Sequence, residues 1–418
     1  MRPIKVHYHT ECSFFAGCES MLANFFNSDE FHKSYEISFS YVYSAQYENG
    51  FKSRVLRPLT VYPLNFFDLS IENQSLKNLP IFLRRFLAKI SRVIFTIPIF
   101  IYEIYFLHKL FSKINPDILH INNGGYPAAL SARAATIAAR FANIKCVVMV
   151  VNNMASNYRS CNRWLDYPID RIVARCVNLF ITGSKAASFQ LAAVLDLPEH
   201  KVLAVHNGVA IRESRKSSFN SFRRTELKNF KGIIFGIVAL LVPRKGHKVL
   251  LSAILELVRG SNLSSDNFLV LIEGDGPMYQ ELVDFVALNN LSCWVTFVGV
   301  QENIHDFMAD LDVLILPSIH SEDFPNVIIE AMALGVPTIA TRLAGIPEQI
   351  IHGKTGFIVD INNPSQLADA MKYFIVNNRD LKVMGQASFI QFSKNFTIEI
   401  ALENYNKIYK KLLKSASC

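Results

Sequence analysis

The sequence predicts an α/β protein built as two domains of similar size, each a parallel sheet covered on both faces by helices. Three observations carry this. The chain has 418 residues, too long for one ordinary domain and well suited to two. Hydrophobic residues make up 50% of it, enough for a core in each half. Short β-rich apolar runs also alternate with amphipathic stretches along the chain, which is the pattern of strands joined through helices.

Taken in order, the first half gives strands at 4–9, 37–42, 117–122, 145–151, 178–181 and 201–204. Helical stretches fall near 17–27, 126–141 and 185–195. Residues 212–229, RESRKSSFNSFRRTELKN, are polar and basic and read as the interdomain connection. The second half alternates more cleanly. Its strands are 232–240, 268–272, 295–298, 312–316 and 338–340, with helices at 247–258 and 277–288. An amphipathic helix follows over 397–414, with Thr397 as its N-cap. The expected domains are therefore 1–210 and 230–396, joined by 211–229, with the helix at 397–418 packed back on the first domain. In open parallel sheets ligands bind at the carboxyl ends of the strands, so functional residues are expected just after strands.

The formal charge is +8, which favours anionic partners. No nucleic-acid motif accompanies it, so nucleotide phosphate and anionic lipid are the expected partners. The seven cysteines are odd in number and form no CxxC pair, and they read as reduced cytosolic thiols rather than disulfides or a zinc site. The opening MRPIKVHYHT lacks the apolar region of a signal peptide and reads as a first strand, which predicts a cytoplasmic chain. Residues 93–111 are very apolar, but Pro98, Glu103, His108 and Lys109 interrupt them, which disfavours a membrane span. Arg84, Arg85, Lys89 and Arg92 lie just upstream among bulky apolar residues. The segment 82–111 thus reads either as a helix lying on an anionic membrane surface or as a core helix of the first domain.

The most informative stretch is HSEDFPNVIIEAMALGVPTIAT, His320 to Thr341, which follows the strand at 312–316. Pro325 is expected at the first helical position, where its missing N–H does no harm. Val327, Ile328, Ala331 and Leu334 recur at helical spacing, and Gly335 supplies the stop. The backbone N–H groups of Asn326 and Val327 would point outward at the start of this helix and form an anion site with its dipole. Glu322 lies before the helix and Glu330 within it, with seven residues between them. Ionised carboxylates accept bonds from hydroxyls. Taken alone, the two read as a solvated loop acid and a solvated helix acid.

They do not stand alone. Around them, in order, come Asn207-Gly208-Val209, Pro243-Arg244-Lys245-Gly246, Gly274-Asp275-Gly276-Pro277, Phe297-Val298-Gly299, Gly345-Ile346-Pro347-Glu348 and Gly353-Lys354-Thr355-Gly356-Phe357. With the Glu322/Glu330 pair as an E-x7-E motif, the series resembles the retaining glycosyltransferases of GT-B fold, family 4 (glycosyl transferases group 1). The resemblance is strong over about residues 200 to 415 and loose before them. It implies an α/β fold of two Rossmann-like domains facing across a cleft (GT-B). It also implies that Glu330 binds the nucleotide ribose and that Glu322 contacts the donor sugar. Lys245, with Arg244, would hold the diphosphate. Phe324, Asn326 and Val327 belong to the same donor-binding segment, and Gly17, in FFAGCESML, resembles a glycine loop lying close to the donor phosphates. The catalytic candidates are Glu322 and Lys245, since a cation after a strand end stabilises a leaving diphosphate. Pro116 to His120 resembles a strand of the first domain, with His120 expected as a structural strand histidine. Asn122 and Asn123 after that strand, and Asn152 and Asn153 after the next, are the acceptor candidates.

Two positions depart from the family pattern. Ala239-Leu240 stand where a Gly-Arg pair is usual, and Arg244 is the expected substitute. Asn152 stands where a histidine is usual, and asparagine hydrogen-bonds hydroxyls but cannot act as an acid or base. The implied reaction is transfer of a glycosyl group (a hexosyltransferase reaction) from a UDP- or GDP-sugar to a saccharide or lipid-linked saccharide, as in bacterial surface polysaccharide or lipopolysaccharide assembly. No cofactor or metal is implied, and the expected place is the cytosolic face of the inner membrane, as a peripheral protein. Two rival readings are a nucleotide-sugar epimerase of similar fold, which would turn over donor without acceptor, and a non-catalytic sugar-nucleotide binder.

Overall fold

Every strand expected from the apolar runs forms, and two more complete the sheets, in a computed structural model that describes residues 2–13, 15, 17–66, 81–159, 161–210, 227, 230–261 and 263–417. The chain divides into two compact units: Met1–Val205 with Leu402–Cys418, and His206–Ala401.

The first unit holds β1 (Ile4–Thr10), β2 (Tyr35–Val42), β3 (Thr60–Leu64), β4 (Ile118–Asn123), β5 (Cys146–Val151), β6 (Leu179–Thr182) and β7 (Val202–Ala204). They pair in parallel in the order β3-β2-β1-β4-β5-β6-β7. The second unit holds β8 (Ile233–Val238), β9 (Phe268–Glu273), β10 (Val295–Gly299), β11 (Val313–Leu316), β12 (Thr338–Thr341) and β13 (Gly356–Val359). These are again parallel, in the order β10-β9-β8-β11-β12-β13. Both sheets reverse their direction of growth once, between β1 and β4 and between β8 and β11. At such a point the chains leaving adjacent strands run to opposite faces and open a crevice at the carboxyl ends. Both units are therefore Rossmann-like.

All residues of β5 and of β9 are buried, the mark of strands covered on both faces. In the first unit the helix Leu130–Phe141 buries Ala132, Ala135, Ala138 and Ala139. Their small side chains allow the helix Ile81–Ile114 to pack closely against it. That longer helix forms with Pro98 inside it. One stripe, Phe100, Glu103, Leu107 and Phe111, is buried, while Phe95, Ile101, Tyr102 and Tyr105 on the other side are exposed. The core-helix reading of 82–111 therefore holds for one face. The side chains of 81–94, including Arg84, Arg85, Lys89 and Arg92, lie outside the described residues. Among the described residues no helix is long and apolar enough to cross a membrane.

The connection expected over 212–229 also lies outside the described residues, except for Leu227. The last helix, Ile398–Ser417, begins where the Thr397 hydroxyl accepts the Ile400 N–H at 3.4 Å. Tyr405 and Tyr409 on it are buried in the first unit against Tyr8, Phe25 and His120. His120 Nδ1 meets the Tyr409 hydroxyl at 2.5 Å, and burial lowers its pKa to about 3, so this histidine is a neutral structural group.

Candidate functional site

The geometry of the second unit centres on the switch point between β8 and β11. After β8 the chain stays bonded to the loop after β9, through Ala239 N–H to the Glu273 carbonyl at 3.2 Å and Leu241 N–H to the Asp275 carbonyl at 2.9 Å. It then makes a single 3₁₀ turn, Pro243–Lys245, which ends at Gly246 with φ +73°. Only glycine fits there: a Cβ would collide with the carbonyl oxygen of Pro317, in the loop leaving β11. The Ile319 N–H donates to the Arg244 carbonyl at 2.8 Å, and the Thr341 hydroxyl donates to the Ser318 carbonyl at 2.6 Å. The basic turn and the β11 loop are thus fastened backbone to backbone.

This clamp brings the predicted charges together. Glu322 Oε1 accepts from Arg244 Nη1 at 2.8 Å and from Lys245 Nζ, and the Ser318 hydroxyl lies 3.5 Å away. Arg244 also reaches the Ser321 carbonyl at 3.3 Å. The Lys245 side chain is only 13% exposed and that of Glu322 9%. Burial lowers the Lys245 pKa and the Arg244 charge adds to this, while the Glu322 carboxylate opposes both. Leu240, at the position of the missing family arginine, is 53% exposed and carries no charge.

Two histidines that sequence reasoning did not single out, His247 and His206, complete this region. His247, next to the turn, is buried with neither ring nitrogen hydrogen-bonded. Burial and then the Lys245 charge lower its pKa to about 4, so it adds no third cation. His206 stacks flat on Phe324, with centroids 4.7 Å apart and ring planes at 8°, and its Nε2 lies 3.1 Å from Glu348 Oε2. Next to it Asn207 Nδ2 donates to Asn326 Oδ1 at 3.0 Å. The His206-Asn207 turn therefore pins both the loop carrying Phe324 and the start of the helix Asn326–Ala333. Asn207 and Glu348 had a sequence signal, as parts of Asn207-Gly208-Val209 and Gly345-Ile346-Pro347-Glu348, while His206 and His247 had none. His206 and Glu348 meet through the fold alone.

That helix starts one residue later than expected. Pro325 is its N-cap, with ψ 121°, not its first helical residue. The reason is that the Pro325 carbonyl turns to accept from Ile328 N–H at 3.2 Å and from Gln349 Nε2 at 3.0 Å, which holds its backbone extended. Asn326 and Val327 open the helix, and Glu330 lies partly exposed further along it. Gly335, with φ +70°, ends it, where Val336 N–H bonds back to the Ala331 carbonyl at 2.9 Å.

The remaining predicted residues belong to the first unit. Gly17 opens a 3₁₀ turn, Gly17–Glu19, after β1. Asn122, Asn123 and Asn152 lie at the carboxyl ends of β4 and β5. Asn122 Nδ2 donates to Glu19 Oε1 at 3.0 Å, and Asn152 Nδ2 donates to Asn122 Oδ1 and to the Asn123 carbonyl, both at 2.9 Å. Asn123 Oδ1 accepts the Ala129 N–H at 3.1 Å, and Asn153 Oδ1 accepts the Met154 N–H at 2.7 Å. Asn122 and Asn123 are buried and serve the loops' own bonding, while Asn152 and Asn153 are half-buried. Glu19, which sequence reasoning missed, is the hub: it also accepts from Tyr47 at 2.7 Å and Thr10 at 3.0 Å. Its burial raises its pKa, against the pull of those bonds. Among the described residues no group of three His, Cys, Asp or Glu side chains could hold a metal ion.

Comparison with known proteins agrees with the fold. Residues 218–390 match the family model described as glycosyl transferases group 1. An uncharacterized glycosyltransferase of Methanocaldococcus jannaschii is 32% identical over 197 residues, 46% of this chain and 53% of that protein. The chain thus spans about half the length of that relative. The Escherichia coli UDP-Gal:alpha-D-GlcNAc-diphosphoundecaprenol alpha-1,3-galactosyltransferase is 22% identical, with 72% of this chain and 77% of that protein covered. Anabaena HepE, solved in complex with UDP, shares the fold with a TM-score of 0.74 at 18% identity, over 97% of this chain and 100% of that one.

Proposed function

We propose that this chain, whose residues 218–390 match the glycosyl transferases group 1 model, is a retaining glycosyltransferase that moves a sugar from a nucleotide-sugar to a saccharide or lipid-linked saccharide acceptor. One observation carries the reading: the Arg244-Lys245 turn is locked against the Glu322 loop at the switch point of the second sheet, directly ahead of the helix bearing Glu330. Two cations there stabilise the charge that grows on a departing diphosphate. Arg244 supplies the second cation that the sequence lacks at Leu240. Glu330 takes the ribose hydroxyls and Glu322 those of the donor sugar. Asn152 and Asn153, the half-buried asparagines, meet the acceptor.

In the reaction the bond from the sugar C1 to the phosphate oxygen breaks and the bond from C1 to the acceptor oxygen forms on the same face. The acceptor proton goes to the leaving phosphate oxygen, so no side-chain base is required. The donor is a UDP- or GDP-sugar. UDP is favoured by the UDP bound to Anabaena HepE and by the UDP-Gal in the name of the E. coli relative. That relative's name also carries a diphosphoundecaprenol-linked sugar, which supports a lipid-linked acceptor and a role in bacterial surface polysaccharide or lipopolysaccharide synthesis.

The chain works on the cytosolic membrane face through the helix Ile81–Ile114. Its exposed Phe95, Ile101, Tyr102 and Tyr105 supply apolar contact. Its sequence holds Arg84, Arg85, Lys89, Arg92, Lys109 and Lys113 against a single acid, Glu103, which is buried on the opposite face.

The deciding experiment is a thermal-shift screen of UDP, GDP and their sugar conjugates, followed by incubation of the stabilising donor with and without acceptors. Transfer to an acceptor is expected. Donor turnover without acceptor would mean an epimerase, and binding without any turnover a silent binder.

A further inference from the structure

Glu322 and the diphosphate site share the same two cations, and this has a consequence for how a donor enters. The reasoning rests on the proposed donor site. Arg244 at 2.8 Å and Lys245 both hold Glu322 Oε1, with the Ser318 hydroxyl at 3.5 Å. The carboxylate thereby cancels half of the formal charge that a diphosphate would meet. Lys245 and Glu322 are largely withdrawn from water, so neither solvent nor salt screens this pairing well. The frame around them cannot open to make room for a second anion. The Arg244 carbonyl is bonded to the Ile319 N–H, Gly246 presses on Pro317, and Ser318 is held by Thr341. What can change is the side chain alone.

We propose that Glu322 is an internal competitor for the diphosphate: the anion enters by taking Arg244 and Lys245 from the carboxylate, and the released carboxylate then accepts hydroxyls of the donor sugar. Diphosphate capture and sugar recognition are thereby one exchange, with the phosphates leading. A carboxylate and a diphosphate on one cation pair repel each other, which sets the sign of the coupling.

The test is calorimetric titration of the unmodified chain, Glu322→Gln and Glu322→Asp with inorganic pyrophosphate and with UDP and GDP. Glu322→Gln removes the competing charge and should bind pyrophosphate about tenfold more tightly than the unmodified chain, within the usual range for coupled ligands. Glu322→Asp, whose carboxylate stops one methylene short, should gain in the same direction by less, and it keeps the test open if the glutamine variant does not fold. In a parallel titration with the sugar conjugates of UDP and GDP, the glutamine variant should gain less from the added sugar than the unmodified chain does. Equal or weaker pyrophosphate binding by the folded variants, beside measurable binding by the unmodified chain, overturns the competition and leaves the donor site standing. Binding of none of the three anions by any form overturns both.

Discussion

At the scale of the residue, the site is a set of short-range constraints, each open to substitution. Lys245→Ala removes a cation from the leaving diphosphate, and kcat should fall about 10²- to 10³-fold, the usual loss for one preorganised stabilising group. On the proposed donor site, Glu330→Ala should weaken nucleotide binding about tenfold, as read by calorimetry. Gly246→Ala joins two faults, a φ of +73° and a Cβ driven into the Pro317 carbonyl. It should cost ~2 kcal/mol or more of stability and loosen nucleotide binding with it, as read by denaturant titration and calorimetry. A Gly246→Ala protein as stable as the parent would remove the clamp from the account.

At the scale of the element, the helix Ile81–Ile114 has one buried face and one exposed apolar face, and the proposed membrane contact is tested on the second. Ile101→Glu or Tyr105→Glu should abolish binding to vesicles containing anionic lipid at low salt and leave the melting temperature unchanged, since both side chains are exposed. Glu103 belongs to the other face. Burial first, then the charge of Glu11, raises its pKa to about 8 from 4.5, and Arg133 opposes this. The native state therefore binds a proton that the unfolded chain has lost, and stability should fall as pH rises from about 4.5 to 8. Glu103→Gln, which mimics the protonated form, should flatten that decline in melting curves taken across the window. Elements of this kind were partly legible in the sequence. The long parallel strands were, because both faces are apolar, and so was the Glu322 loop with its helix, because a proline, a glycine and two acids punctuate it. Thr60–Leu64 was not, because its burial is slight at all but Leu64 and proline interrupts it. Gly356–Val359 was not read as a strand because its first two residues close the Gly353-Lys354-Thr355-Gly356-Phe357 motif, whose paired glycines mark a turn. Pro325 was placed one position too far into its helix, since the Gln349 contact that holds it extended comes from a distant loop. The buried roles of Asn122 and Asn123 depended on Glu19 and on the Ala129 backbone, partners that no spacing rule reveals.

At the scale of the whole molecule, the two units differ in how they meet acid. The first buries His7, His9 and His120, each with its pKa lowered to about 3, and the second buries His247, lowered to about 4. Burial is the leading cause in each. A lowered histidine pKa gives stability that is complete above the unfolded value of 6.5 and is lost as pH falls toward the folded value. Each such group contributes a slope of about 1.4 kcal/mol per pH unit in that window. The raised carboxyls Glu19 and Glu103 work the other way and offset part of this in the first unit until they too are matched by the unfolded chain near pH 4.5, below which its three histidines should make it weaken more steeply than the second, as hydrogen exchange resolved by unit would register. The position of Tyr405 and Tyr409 has a further consequence, one of timing. The aromatic nest of Tyr8, Phe25 and His120 is closed by side chains that the ribosome delivers only after the entire second unit. At about 5–20 residues per second, the nascent first unit waits roughly 10–40 s with that nest unsealed. The early-made half of the protein is thus finished last, and a chaperone has that interval in which to shield it.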